Sequence, residues 1–170
     1  MRYYSTNDRS RHYSLKDAVL MGLPPDNGLF MPERIPVLSQ GFIQSLHGKG
    51  LVEIAAEVSR EWFGEDVPVS ELERMVQLAF PFDTPLVSLG DRTHVLELFH
   101  GPTLAFKDVG ARFMARLMSW LVQGSDRKLT ILVATSGDTG SAVASGFYGV
   151  ENIEVIILYP SGKVSPSQEK

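Results

Sequence analysis

Two short segments of this 170-residue chain combine residue types that could carry chemistry. The first is the loop Ala134–Ser141, ATSGDTGS, which follows an apolar run of strand length and precedes a helical pattern. A helix that begins there presents free backbone N–H groups and the positive end of its dipole, so its N-terminus favours an anion. The glycines allow a ligand to approach the backbone, and the hydroxyl groups add hydrogen-bond donors.

The spacing within this loop excludes two familiar phosphate sites. No lysine follows the second glycine, as a Walker loop requires, and the two glycines are not spaced as in the dinucleotide-binding fingerprint. Asp138 would repel a fully ionised phosphate, so a carboxylate ligand fits the loop better. The alternative is that the loop is an ordinary glycine-rich entry to a helix, capped by Ser or Thr.

Lys107 is the second candidate, because it lies between a proline-containing loop, His100–Phe106, and a predicted helix. The positive end of the helix dipole disfavours the charged ammonium at this position. An uncharged lysine amine is the form that reacts with a carbonyl compound to give a Schiff base. The alternative is a solvated lysine that pairs with Asp108.

The other polar residues give weaker indications. Lys163 and Ser165 lie in a loop after a second predicted strand, where they could bind a phosphate, although a solvated loop is the favoured alternative. The four histidines lack the spacing of metal ligands, and the chain has no cysteine. The sequence therefore predicts no metal site, no disulfide and no thiol nucleophile.

Both candidate segments lie in the second of two regions with different patterns. Residues 1–83 are predicted to form a helix-rich domain, with helices over Leu15–Met21, over Leu51–Phe63 and from Ser70, where Ser70 and Glu73 would form a capping box. Residues 84–170 alternate between strands and helices: a hairpin of Leu86–Leu89 with His94–Phe99, a helix over Asp108–Gln123, a strand over Leu129–Ala134, a helix to about Tyr148, and a strand over Glu154–Tyr159. The strand–helix–strand order predicts a parallel sheet and therefore an α/β fold.

Composition excludes several classes of protein. The net charge of −4 and the sequence pI of about 5.5 do not favour a protein that binds nucleic acid. The apolar runs are too short to cross a membrane, and the first residues contain no apolar stretch typical of a secretory leader. We therefore expect a cytoplasmic protein that binds neither nucleic acid nor membranes.

Several stretches together resemble the threonine synthases, which are pyridoxal-phosphate enzymes of the tryptophan-synthase-β type (PLP fold type II). The most specific is Glu97–Asp108, ELFHGPTLAFKD, which is similar to the segment that carries the cofactor lysine of that family. Thr135–Gly140 is similar to the substrate loop of the family. Further similarity covers Asp26–Pro32, Thr84–Leu86 and Tyr159–Pro166, so the resemblance extends over essentially the whole chain.

The resemblance implies a lyase of threonine biosynthesis that converts O-phospho-L-homoserine and water to L-threonine and phosphate. Lys107 would hold pyridoxal 5′-phosphate and transfer protons, with Phe106 and Asp138 beside the cofactor. The residues implied to bind the substrate carboxylate are Ser136, Gly137, Thr139 and Gly140. Lys163 and Ser165 are a separate hypothesis, from charge and loop position, for the substrate phosphate.

Threonine synthases of this type are considerably longer than this chain, which ends on what resembles the first turn of a helix. We therefore expect an N-terminal fragment in which the pyridoxal-phosphate domain is incomplete, cofactor binding is weak and turnover is absent. Two alternatives stay open: another pyridoxal-phosphate lyase of the same fold, or a non-catalytic module that binds anions. The sequence does not predict the oligomeric state.

Overall fold

The structure is a computed structural model of the chain and describes residues 1–125, 128–135 and 137–166. Its elements form two compact units, Met1–Val76 and Gln77–Lys170. The division falls inside a helix. The boundary after Asp83 between a helix-rich domain and a cofactor domain, which the sequence indicates, stays a prediction.

The N-terminal unit contains a small sheet and several helices. Strand β1 (Tyr3–Ser5) is central, and β2 (His12–Tyr13) and β3 (Phe30–Pro32) pair with it in antiparallel orientation. The helices are α1 (Leu15–Met21), α2 (Gln40–Gln44), α3 (Leu51–Phe63) and α4 (Val69–Ala79), the last of which continues into the second unit.

The predicted bounds of α1 and α3 are confirmed. Helix α1 is closed by a capping box, in which the Asp17 N–H donates to Ser14 Oγ at 3.1 Å and the Ser14 N–H donates to Asp17 Oδ2 at 3.3 Å. The predicted start of α4 at Ser70 is wrong, because the carbonyl of Pro68 already accepts from the N–H groups of Glu71 and Leu72. Proline has the backbone angle of a first helical turn, so the helix begins directly after it.

The small sheet and α2 were absent from the sequence-based prediction, since strands of two or three residues are too short to show an alternating pattern. The turn predicted at Pro24–Gly28 is confirmed and is tied to β1. Ser5 Oγ donates to Asp26 Oδ1 at 2.7 Å, and the Gly28 N–H donates to the same oxygen at 3.0 Å. A side chain at Gly28 would collide with Ser5 Oγ, so the close approach requires glycine.

An ion-pair network in the N-terminal unit predicts a pH-dependent stability. The α-ammonium of Met1 lies 2.7 Å from Glu65 Oε2 and 2.8 Å from Asp66 Oδ2, and Arg34 pairs with Glu65 at 2.7 Å. Burial lowers the pKa of the ammonium, but the hydrogen bonds and charges of Asp66 and Glu65 outweigh burial and raise it. Hydrogen bonds from the ammonium and from Arg34 lower the pKa of Glu65.

We expect this stabilisation to be complete between the two unfolded-state values, 4.5 for Glu65 and 8.0 for the ammonium. A lowered carboxyl pKa means that stability is lost as the pH falls through it, and a raised ammonium pKa means that stability is lost as the pH rises through it. Urea unfolding over a pH series measures both limbs. Glu65→Gln should flatten the acid limb, whereas the matched change Glu61→Gln, at another exposed position, should leave its shape unaltered.

The C-terminal unit has the predicted order of strands and helices. Its elements are β4 (Leu86–Gly90), β5 (Thr93–Leu96), α5 (Lys107–Leu121), β6 (Leu129–Ala134), α6 (Asp138–Phe147) and β7 (Ile153–Leu158). Strands β4 and β5 form the predicted antiparallel hairpin, although β5 ends at Leu96 rather than Phe99. Strands β6 and β7 pair in parallel, from Leu129 opposite Ile153 to Ala134 opposite Leu158, which confirms the strand–helix–strand unit and the α/β class.

Helix α6 packs on one face of the β6–β7 pair, and α5 packs against α6. The buried side chains of this unit come mainly from these two helices, among them Ala115, Leu117, Leu121, Ala142 and Phe147. The other face of the strand pair exposes Leu132, Ile156 and Leu158. Within the described ranges, no helix has the length and apolar content needed to cross a membrane.

Candidate functional site

Lys107 is the first residue of α5, and its side chain is half-buried. Its Nζ lies 5.3 Å from the centroid of the Phe106 ring, a cation–π contact with a side chain that is itself 62% exposed. Among residues 1–125, 128–135 and 137–166, Lys107 forms no ion pair with a carboxylate. The alternative in which Lys107 pairs with Asp108 is therefore not what the structure shows.

Asp108 points away from Lys107 and into the protein. It is 1% exposed, and its two oxygens accept hydrogen bonds from the same residue of the preceding loop. The Thr103 N–H donates to Oδ2 at 2.9 Å, and Thr103 Oγ1 donates to Oδ1 at 2.8 Å. A negative charge in the first turn of α5 also interacts favourably with the helix dipole.

The loop that precedes α5 is folded closely over this carboxylate. A Cβ on Gly101 would lie 2.5 Å from Asp108 Oδ2, so only glycine allows this approach. The chain then turns at Leu104, whose φ of 59° is in the left-handed region that non-glycine residues rarely adopt. The Leu104 N–H donates to the carbonyl of Gly101 at 3.1 Å and closes the turn.

His100 is placed at the start of this loop. Its Nε2 lies 2.6 Å from Glu97 Oε2, and its ring stacks on Phe99 with the centroids 4.7 Å apart. These two contacts hold the His100 side chain in place at the start of the loop.

The second candidate segment joins β6 to α6, as predicted. Gly137 precedes the helix, and its N–H donates to Thr135 Oγ1 at 3.3 Å. Asp138, Thr139 and Gly140 form the first turn of α6, in which the Gly140 N–H donates to the carbonyl of Gly137 at 3.0 Å. The positive end of the helix dipole favours an anion at this position. Ser136, the remaining residue predicted to bind substrate, lies outside the described residues.

Gly140 has a structural requirement of its own. A Cβ there would lie 2.7 Å from Thr135 Cγ2 and 3.3 Å from Ile157 Cγ2, so glycine lets α6 approach β6 and β7. Its predicted contact with substrate stays a prediction.

Lys163 and Ser165 lie in the turn that follows β7, and both side chains are exposed. The Lys163 N–H donates to the carbonyl of Pro160 at 3.1 Å, and Gly162 adopts a φ of 67°. Their predicted role toward a phosphate stays a prediction.

Helices α5 and α6, which begin at the two candidate segments, cross at a close contact. A Cβ on Gly146 would lie 3.1 Å from the carbonyl carbon and oxygen of Ala111 and 3.2 Å from the Arg112 nitrogen. The Arg112 side chain in turn donates to the carbonyls of Ala79 and Leu78 at 2.7 and 3.1 Å, which satisfies the C-terminus of α4.

Sequence reasoning missed the role of Asp108. The residue was considered only as a partner of Lys107, although adjacent residues of a helix point in directions about 100° apart and do not face each other. That geometric rule could have excluded the pair, but the hydrogen bonds to Thr103 depend on a loop conformation that no periodic pattern indicates.

Comparison with known proteins gives consistent matches over the whole chain. The family model described as "Threonine synthase N terminus" matches residues 2–80. The chain is 44% identical to threonine synthase of Escherichia coli and 48% identical to that of Haemophilus influenzae, each over 170 residues. Both matches cover 100% of this chain and 39% of the relative, so the chain spans about two fifths of the length of these relatives.

Solved structures give the same result. The PLP-bound threonine synthase of Brucella melitensis matches with a TM-score of 0.90 at 42% identity, and covers 99% of this chain. The threonine synthase of Escherichia coli matches with a TM-score of 0.88 at 43% identity. The matched part is 37% of the first structure and 39% of the second. The chain is therefore similar, over nearly its whole length, to the N-terminal two fifths of these threonine synthases.

Proposed function

We propose that this chain supplies the N-terminal part of a threonine synthase, which converts O-phospho-L-homoserine and water to L-threonine and phosphate. The observation that carries the proposal is the position of Lys107. Lys107 is the first residue of α5, and its amine has no carboxylate partner in the described part of the chain. The chain that carries it matches threonine synthases over its whole length.

The residues around Lys107 fit pyridoxal 5′-phosphate, which would be held by Lys107 with Phe106 and Asp138 beside it. A half-buried amine that is not neutralised by an acidic side chain can condense with an aldehyde, with loss of one water. The exposed Phe106 ring next to Nζ offers an apolar surface to an aromatic cofactor. When bound, the cofactor would accept electron density from the substrate carbon that loses its proton.

The chain's own groups would bind the substrate and move its protons. The start of α6 would bind the substrate carboxylate through the N–H and the hydroxyl of Thr139, with Gly137 beside them in the loop. Lys107, as a free amine, would take the proton from the α-carbon of the substrate and return it later as a general acid. Ser136 and Gly140 complete the proposed substrate loop.

The test is to supply a protein that contains this chain with pyridoxal 5′-phosphate and O-phospho-L-homoserine. Release of threonine and phosphate in equal amounts supports the proposal. Release of ammonia and a keto acid would instead support another lyase of the same fold. Binding of carboxylate compounds without any turnover would support an anion-binding module.

Lys163 and Ser165 are proposed to contact the phosphate of the substrate. Lys163→Ala in the same protein should raise the KM for O-phospho-L-homoserine by about tenfold, because a hydrogen bond to a charged group contributes about 1.5–3 kcal/mol. The matched control is Lys128→Ala, which removes another exposed lysine, one that pairs with Glu154 at 3.6 Å. An unchanged KM in the Lys163 variant would remove the residue from the site.

A further inference from the structure

Asp108 is the one buried carboxylate among the residues that the structure describes. Its charge is not neutralised by the neighbouring lysine, so its burial depends on hydrogen bonds and on the positive end of α5. A buried carboxylate without hydrogen-bond partners would strongly destabilise the fold, so the burial of Asp108 requires its hydrogen bonds.

All of these partners belong to the loop that leads into Lys107. Both carboxylate oxygens accept from Thr103, at 2.9 Å from the backbone N–H and 2.8 Å from the hydroxyl. Gly101 lies against the same carboxylate, where a Cβ would be 2.5 Å from Oδ2. Leu104, with a left-handed φ of 59°, follows Thr103 directly in this loop. A backbone conformation of this kind persists only where surrounding contacts enforce it.

Lys107 lies in the chain between this loop and Asp108. It follows Phe106 directly and precedes Asp108. In this turn the Asp108 N–H donates to the carbonyl of Ala105 at 3.0 Å, and the Val109 N–H donates to the carbonyl of Phe106 at 3.2 Å. Since Asp108 points inward, the helix geometry turns Lys107 by about 100° away from it and towards the Phe106 ring. The inward direction of Asp108 and the contact of Lys107 with Phe106 therefore occur together in one conformation of the loop and the first turn of α5.

We propose that Asp108, through its two hydrogen bonds to Thr103, is the residue that positions Lys107 for attachment of pyridoxal 5′-phosphate. The inference rests on the proposed function, because it concerns the same lysine. Asp108 touches neither cofactor nor substrate in this scheme. It holds the loop and the first turn of α5 in one conformation, so that the amine meets the aldehyde in a productive geometry.

The experiment uses a protein that contains this chain, pyridoxal 5′-phosphate and borohydride, which adds hydride to the C=N bond and fixes the cofactor on the lysine that formed it. Peptide mass spectrometry then gives the ratio of label on Lys107 to label on Lys16, an exposed lysine of the other unit. Thr103→Val removes one of the two hydrogen bonds with little change of shape, and Thr103→Ser retains it. Asp108→Ala removes both.

We expect Lys107 to be labelled in preference to Lys16 in the unsubstituted chain. Thr103→Val and Asp108→Ala should lower that ratio by about 10- to 100-fold, the scale on which small misplacements reduce the rate of an oriented reaction. The labelling ratio of Thr103→Ser should be closer to that of the unsubstituted chain than to that of Thr103→Val. Labelling is carried out well below each melting temperature, so that a purely structural contribution would change the melting temperature and not the ratio.

Failure of the inference and failure of the proposed function give different results. Equal labelling of Lys107 and Lys16 in the unsubstituted chain would contradict Lys107 as the cofactor lysine. Preferential labelling that persists in Thr103→Val would leave the cofactor lysine in place and overturn the role of Asp108. If Asp108→Ala does not fold, the two Thr103 variants decide.

Discussion

Lys107→Ala is expected to abolish covalent attachment of pyridoxal 5′-phosphate at this position and to reduce threonine formation by at least about 10²-fold, the low end of what a positioned acid–base group contributes. The physical reason is that alanine can neither hold the cofactor nor transfer the proton of the substrate α-carbon. The measurement is the rate of phosphate release by a protein that contains the chain, together with its absorbance spectrum with cofactor.

Two controls separate chemistry from charge and folding. Lys107→Arg keeps the positive charge beside Phe106 but cannot condense with an aldehyde at neutral pH, so it should be as inactive as Lys107→Ala. Lys16→Ala removes an exposed lysine from the other unit and should retain full activity. Near-normal turnover in both Lys107 variants would show that another residue holds the cofactor.

Gly146→Ala is expected to lower stability by about 1–2 kcal/mol, because overpacking costs about 1–3 kcal/mol and the better helix propensity of alanine returns up to about 1 kcal/mol. The added methyl group would meet backbone atoms of Ala111 at 3.1 Å, and backbone cannot rotate away as a side chain can. Urea unfolding of the variant and the unsubstituted chain measures the difference.

The control for this change lies on the partner helix. Gly110 is in α5, and no atom lies within 4 Å of the position that a Cβ would take there. Gly110→Ala should therefore stabilise the chain by about 0.5–1 kcal/mol through the unfolded state and helix propensity. If the two substitutions have the same effect, the close approach of α5 and α6 does not explain glycine at Gly146.

The elements of the second unit were predicted well from sequence because each has a strong local signal. The apolar runs of β6 and β7 and the helical spacing of α5 depend on side chains that are buried in the fold. The same holds for α1, where Ser14 and Asp17 form a cap from residues three apart. Local patterns of this kind predict the elements correctly because tertiary packing buries the same helix and strand faces that produce the pattern.

The parts that sequence did not indicate depend on contacts between distant or very short segments. Strands β1 to β3 are held by pairing across the chain and by Asp26, and neither leaves a periodic pattern. For the site, the type and place of Lys107 were predictable, while the inward direction of Asp108 follows from the fold of the loop at Thr103. A motif identifies the residues, but the loop conformation decides which of two adjacent charges is buried.

The different directions of Lys107 and Asp108 also determine which sequence changes this segment can accept. Substitutions at exposed positions such as Leu104, which is 74% exposed, alter one side chain and leave the helix phase unchanged. A one-residue insertion between Lys107 and Asp108 would instead rotate everything upstream by about 100° relative to the apolar face of α5. Either the amine would turn inward or Ala115 and Leu117 would turn outward. We therefore expect the segment to vary by substitution during evolution but to keep a constant length.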